Sequence, residues 1–155
     1  MAYRPLHVSK YKPHFHGHQT FPFRYGWLKK AYDAVAAEKA GKNKPVFGCD
    51  EDDIVRFGVG VKMVPAIKHW AIRAGIIEVN EDNIIRTTAL GDMIFLDKDP
   101  YMENISTLWL LHWKLVMCEA NTTWFWAFNH FNEVAFSRQS ILEALQKFSM
   151  DRRWW

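Results

Sequence analysis

The chain has 155 residues, 49% of them hydrophobic and 15% aromatic, which is enough apolar material for a globular core and excludes a disordered chain. Its net charge of +3 permits contact with nucleic acid but falls short of a strongly basic nucleic-acid-binding domain. The sequence has only two cysteines and begins without a leader-peptide pattern, which argues against a secreted protein. It has no apolar run approaching roughly 18 residues, which argues against a membrane-spanning helix. We therefore expect a cytoplasmic protein.

The first third of the chain predicts an arm followed by two helices. Residues 1–13 are polar and interrupted by two prolines, which indicates an N-terminal arm on the surface. Apolar residues recur between 24 and 37 at the spacing of one buried helix face. The acidic cluster at 50–53 then stands where carboxylates stabilise a helix N-terminus, and it predicts a short second helix to about Phe57.

The middle of the chain has the element order of a winged helix-turn-helix. A glycine-containing turn at 58–60 precedes a helix that we expect to begin near Pro65, leaving Lys62 in the turn, and to end at about Ala74 before Gly75. Two β-prone runs flank the turn residues 80–83 and predict a hairpin, after which 89–95 predicts a further short helix. Any small helical module with a hairpin would produce the same pattern.

The last third predicts three helices rich in aromatic residues. We expect Ser106 to cap a helix that ends at about Cys118. Asn121 or Thr122 is expected to cap a second helix that ends at about Phe131, and Ser137 a third helix that ends at about Phe148. The fold class is therefore mainly α, with a winged helix-turn-helix-like module and short β-hairpin over 50–96 followed by a helical, aromatic-rich bundle over 106–150. We expect residues 14–155 to form a single compact domain.

A run of histidines supplies the first candidate site. If the segment is extended, His14, His16 and His18 project from the same face, with Thr20 next in line. Imidazoles grouped in this way can ligate a divalent metal or donate to phosphate oxygens, and they transfer protons near neutral pH. Structural histidines that bond backbone carbonyls are the alternative.

The second candidate site lies on the predicted helix from Pro65 to about Ala74. At helical spacing Lys62, His69 and Arg73 would lie on one side, opposite the apolar stripe, with Lys62 placed in the turn if the helix begins at Pro65. Such a side can enter a major groove or lie on phosphates. Lys68 and Arg86 add positive charge nearby. The alternative is a solvated amphipathic face that only holds the fold together, or a winged helix that binds protein.

A third set combines acids with a histidine and has the residue types of a metal-dependent phosphodiesterase: Asp99, Glu103, His112, Glu119 and Glu133. Glu103 could instead favour a helix dipole, and His112, flanked by leucine and tryptophan, could be a core residue.

Five blocks of sequence stand in order: FHGHQTFPFRYGWLKKAYDAV, DDIVRFGVG, MVPAIKHW, DPYMENISTLWLLHW and TTWFWAFNHF. In this order they resemble the first half of the family of the domain of unknown function numbered 4007. Members of that family look like components of bacterial DNA phosphorothioation cassettes, and some are proposed to nick DNA. Many carry Glu where this chain has Gln19. The family continues beyond position 155, so we expect a fragment or a shortened member that lacks the family's C-terminal half.

The resemblance implies a DNA-associated component of a phosphorothioation-based modification and phage-defence system, related in role to restriction-modification. A DNA-nicking endonuclease subunit is one candidate activity, with His16 and His18 as catalytic candidates and a divalent metal, Mg²⁺ or Mn²⁺, as candidate cofactor with ligands unknown. The expected partners are DNA and other phosphorothioation-system proteins. The DNA-contact candidates are Arg24, Lys62, Lys68, His69, Arg73 and Arg86.

The alternative function is a non-catalytic winged-helix protein-interaction module. In that case the aromatic segment 109–136 docks on a partner or on the family's C-terminal half, and it exposes a large apolar patch.

Overall fold

The computed structural model describes Leu6, residues 11–38 and 46–152, and Trp154, so most of the predicted N-terminal arm lies outside the described residues. Within the described residues the chain is mainly helical, with seven α-helices and a two-stranded antiparallel sheet. The chain contacts divide it into two compact units, one of residues 16–114 and one of residues 1–15 together with 115–155. The grouping of 14–155 into a single domain stays a prediction.

The helices are α1 (Trp27–Glu38), α2 (Glu51–Phe57), α3 (Val64–Arg73), α4 (Ala89–Asp92), α5 (Ile105–Met117), α6 (Thr122–Asn129) and α7 (Arg138–Asp151). The strands are β1 (Ile77–Val79) and β2 (Ile85–Thr87). A 3-10 turn, Val61–Met63, precedes α3, and a π-helical turn, Met93–Lys98, follows α4.

The mainly helical class and the hairpin are confirmed. Asp50 caps α2 by accepting a hydrogen bond from the Asp53 N–H at 3.1 Å. Gly75 has a φ of 73°, which glycine adopts without steric cost, and it ends α3 where the sequence predicts. The strands pair in antiparallel register with Glu78 opposite Arg86.

The core of the 16–114 unit forms where α1 packs against α3 and the hairpin. Leu28 and Val35 of α1 are fully buried, as are Ile67 and Ala71 of α3. Each buried Leu, Ile or Val side chain stabilises the fold by about 1.5–3 kcal/mol relative to leaving it exposed. This packing fixes the position of α3, which carries the second candidate site.

Tyr32 brings a polar group into that core. Its hydroxyl donates to Asp92 Oδ1 at 2.8 Å. Burial, followed by the hydrogen bond to the Asp92 carboxylate, raises the pKa of Tyr32 from 10.0 to about 12. The hydroxyl therefore keeps its proton well above neutral pH.

The ends of three predicted elements differ in the structure. Ser106 is not the cap of α5, because the helix begins one residue before it and the Asn104 side-chain oxygen accepts the Ser106 N–H at 2.9 Å. The helix after the hairpin ends at Asp92, and the chain continues as the π-helical turn rather than as α-helix to 95. The α6 helix ends at Asn129, two residues earlier than predicted.

The second unit is built around α6 and α7. Phe125 and Trp126 of α6 are buried with Leu6, and Phe148 of α7 packs against them. The predicted cap of α7 is confirmed, since the Ser137 hydroxyl accepts a hydrogen bond from the N–H three residues later at 3.0 Å. In the described part of the chain, every helix is too short or too polar to cross a bilayer.

Candidate functional site

The histidine run does not form an extended strand. Gly17, Gln19 and Thr20 have φ values of 117°, 51° and 65°, so the chain turns where the prediction requires side chains to alternate. The expectation that His14, His16, His18 and Thr20 share one face is therefore wrong. His14 also belongs to the unit built around α6 and α7, whereas His16 and His18 belong to the other.

The turn that replaces the strand spans residues 18–21, and we call it the His18 turn. The Phe21 N–H donates to the His18 carbonyl oxygen at 2.9 Å, and both central residues, Gln19 and Thr20, have positive φ. These are the features of a type I′ turn, which favours Asn-Gly or Gly-Gly at its centre. The central residues here are Gln19 and Thr20, so their residue types do not predict this turn.

Both ends of the His18 turn are held by Trp70 of α3. The His18 ring stacks on the Trp70 ring, with centroids 5.7 Å apart and 23° between the planes. The Trp70 indole N–H donates to the Phe21 carbonyl oxygen at 3.1 Å. Trp70 of α3 thus holds the His18 turn against α3 through contacts with residues at least 49 positions earlier in the chain.

His69 lies beside His18 in the same cluster. The two imidazole centroids are 5.8 Å apart, and the His69 ring meets the Trp70 ring edge-on at 5.3 Å. A Cβ added at Gly17 would stand 2.7 Å from His69 Nδ1, so only glycine allows the backbone to come this close. The structure therefore joins the histidine run and the α3 side chains, which sequence analysis treated as separate sites.

The two nitrogens of His18 have different surroundings. Nδ1 is buried and has no hydrogen-bond partner among the described residues. The residue as a whole is only half-buried, so Nε2 is the ring nitrogen left to meet a ligand. His16, two residues earlier, is exposed.

Three of the predicted cations accompany this cluster on or near α3. Lys62 is exposed in the 3-10 turn before α3, as predicted. Arg73 is half-buried in the last turn of α3, four residues after His69 and therefore on the same side of the helix. Lys68 points away from that side, with Nζ 6.0 Å from the Phe47 ring centroid.

The two remaining cations have other partners. The Arg24 guanidinium lies 5.5 Å from the Trp27 ring centroid and 6.0 Å from that of Phe21. Arg86 Nε lies 2.7 Å from Glu78 Oε1 in an exposed cross-strand ion pair. Because Glu78 already offsets its charge, Arg86 is a weak candidate for a phosphate contact.

The acid-histidine set is not assembled into one centre. Asp99 accepts the backbone N–H groups of Glu103 and Asn104 at 2.9 and 3.0 Å, and thereby shapes the turn before α5. Burial acts to raise the pKa of Asp99, but hydrogen bonds from Thr107 and from these N–H groups outweigh it and lower the pKa below 3.8.

The other acids of the set are placed elsewhere. Glu119 and Glu133 belong to the unit built around α6 and α7, whereas His112 lies in α5 with its ring edge against Trp109. Throughout the described ranges, no three His, Cys, Asp or Glu side chains approach closely enough to hold a metal ion. The described residues therefore provide no metal centre built from three or more of these side chains.

The fold and the cluster define a mainly helical protein in which a histidine-containing turn is packed on helix α3. The chain belongs to the family described as "Protein of unknown function (DUF4007)", whose model matches residues 15–155. No curated protein matches the sequence.

Two solved structures are similar to it. Magnesium ion-bound SspB superposes with a TM-score of 0.69 and 28% sequence identity over 88% of this chain. A second structure of SspB gives a TM-score of 0.66 and 28% identity over 87% of this chain. The chain spans 42% of the length of either SspB chain.

Proposed function

We propose that this chain is a DNA-associated component of a bacterial DNA phosphorothioation modification and defence system. The match to the family model over residues 15–155 supports the proposal, since the resemblance of the five sequence blocks to that family implies a role in phosphorothioation. The likeness to SspB adds support at the level of structure. DNA and other proteins of the same system are the proposed partners.

We propose further that the helix-turn-helix and hairpin act as a winged helix, with the basic side of α3 on the DNA backbone. That basic side consists of Lys62, His69 and Arg73, and the His18 turn extends it. Lysine and arginine neutralise phosphates and release condensed counterions, so the contact should be salt-sensitive. Imidazole nitrogens add hydrogen bonds to phosphate oxygens.

A salt titration tests the DNA proposal. The binding constant for a duplex of about 20 base pairs is measured by fluorescence anisotropy between about 50 and about 200 mM salt. Two or more phosphate contacts predict a log–log slope of about −2 or steeper. Binding that is absent, or insensitive to salt, would contradict the proposal.

Strand nicking is the proposed activity, with His16 and His18 as its candidate residues. Imidazole can hold or deliver a proton near neutral pH, and the accessible Nε2 of His18 beside the His69 ring suits that role. Incubation of supercoiled plasmid with the purified chain, with and without Mg²⁺ or Mn²⁺, tests this. Conversion to open circles that is lost when His18 is replaced supports the assignment, and an unchanged plasmid contradicts it.

The second candidate function, a non-catalytic protein-interaction module, is favoured by the exposed face of α5. Trp109 and Trp113 are 67% and 61% exposed, and Ile105 and Leu108 are exposed beside them. With His112, three of these residues line a shallow cavity of about 300 Å³. Exposed apolar groups so arranged are typical of protein-binding surfaces.

The proposed occupant of this face is another protein of the phosphorothioation system. Replacement of both indoles, Trp109→Ser with Trp113→Ser, should abolish complex formation with that protein and leave DNA affinity and melting temperature nearly unchanged, because exposed side chains contribute little to stability. A complex that survives the double replacement would remove support for this function.

A further inference from the structure

The His18 turn has a backbone that its sequence does not favour. Gln19 and Thr20 both occupy the left-handed region, which costs free energy for residues with a side chain and most for a β-branched residue such as threonine. The contacts of Trp70 with the two ends of the turn explain how this backbone is maintained. They do not explain why the tip lacks the Asn-Gly or Gly-Gly pair that the turn type prefers.

The side chains at the tip differ in what they do. The Thr20 hydroxyl donates to the Gln19 carbonyl oxygen at 2.6 Å, so its hydrogen bond is made within the turn. The Gln19 side chain is exposed, and nothing among the described residues hydrogen-bonds to its carboxamide. The strained turn therefore presents one uncharged group that can donate and accept hydrogen bonds, and that group serves no internal contact.

The adjacent helix α3 lacks a side-chain carboxamide or hydroxyl. Residues 64–73 contain no Asn, Gln, Ser or Thr, and the polar side chains of α3 away from the core are Lys68, His69 and Arg73. Lysine and arginine most often contact phosphates, which position a protein on DNA without reading sequence. A glutamine carboxamide can pair with the N6 and N7 atoms of adenine in the major groove.

We infer that Gln19, held at the tip of the His18 turn, contacts an adenine edge of duplex DNA while the basic side of α3 lies on the backbone. This inference rests on the proposed DNA-binding function. It assigns base recognition to the turn rather than to α3. The strain of the turn is the cost of holding a side chain at a place where glycine would be more stable.

Two matched replacements test the inference: Gln19→Gly and Thr20→Gly. Each relieves one left-handed residue and adds the same backbone freedom, so both variants should fold and melt close to the unchanged protein. Only the first removes the carboxamide. Affinity is measured for two duplexes of equal length, one of A·T pairs and one of G·C pairs, over the same salt range.

The unchanged protein and Thr20→Gly should bind the A·T duplex about fivefold or more tightly than the G·C duplex. Gln19→Gly should lose this preference and keep the salt slope, because the carboxamide carries no charge. Equal affinity of the unchanged protein for both duplexes, or an equal loss in both variants, would overturn the inference while leaving the proposed DNA binding intact. If the unchanged protein shows no salt-sensitive DNA binding, both the inference about Gln19 and the proposed DNA-binding function are overturned.

Discussion

Replacing His18 by phenylalanine separates packing from chemistry at the candidate site. The His18 ring stacks on Trp70 at 5.7 Å, and its buried Nδ1 has no hydrogen-bond partner among the described residues. A phenyl ring keeps the stacking and removes a buried polar atom that contributes no bond. We therefore expect His18→Phe to change the free energy of unfolding by no more than about 0.5 kcal/mol, in either direction.

Alanine at the same position gives the reference for lost packing. His18→Ala removes a ring pair worth about 0.5–1.5 kcal/mol together with some apolar burial, so we expect a loss of about 1–2 kcal/mol. For a chain of this length that corresponds to a melting temperature lower by about 2–8 °C. His16→Ala, at an exposed residue, should melt with the unchanged protein.

Urea denaturation, duplex binding and plasmid relaxation are then measured on the same three variants. If His18 acts on DNA, His18→Phe folds normally but loses nicking, or binds DNA more weakly, because phenylalanine offers no nitrogen. Full activity in a stable His18→Phe protein would refute the role given to His18. A loss of stability as large as that of His18→Ala would instead refute the view that Nδ1 lacks a partner.

Three further predictions concern charged and buried groups. Arg73→Ala should reduce the magnitude of the DNA-binding salt slope by about 1. Arg86→Ala should change the slope little, because Glu78 already pairs with that guanidinium. A salt titration of both variants checks this difference. The pKa of Asp99 is lowered from its ordinary value of 3.8, so its stabilising effect is present above that value and is lost as the pH falls through the folded-state pKa. Asp99→Asn should lower the melting temperature at pH 7, and the difference from the unchanged protein should shrink as the pH falls below 3.8. The pKa of Tyr32 is raised from 10.0 to about 12, so the contribution of its protonated hydroxyl to the free energy of unfolding is complete below pH 10 and is lost between pH 10 and 12. Over that interval the free energy of unfolding should fall more steeply in the unchanged protein than in Tyr32→Phe.

Local signals account for the parts of the fold that the sequence predicts correctly. Asp50 and Ser137 are good helix caps, and Gly75 stops α3, because each acts through the few residues next to it. Ser106 and Asn104 are both competent caps only two positions apart, so composition alone could not choose between them. The two compact units arise from long-range contacts and have no local signature.

The candidate site was predicted only in part, for a related reason. The sequence drew attention to His18 and to His69, but the ring contacts that join them extend across 51 residues of chain and run through Trp70. The assumption of an extended strand failed because the positive φ of Gln19 is maintained by tertiary contacts and not by a residue type that favours it. A glycine at position 17 was the one available hint of close backbone approach.

The packing of the His18 turn on α3 means that the two surfaces should not be treated as independent. In the proposed binding mode a duplex on the basic side of α3 contacts His69, and the His69 ring neighbours the His18 ring beside Trp70. Substitutions at His18 and at His69 therefore share a partner, and the sum of their separate effects on binding should differ from the effect of the double replacement. Trp109 and Trp113 lie on a different helix, so their replacement tests the interaction module without altering Trp70 or its two ring partners.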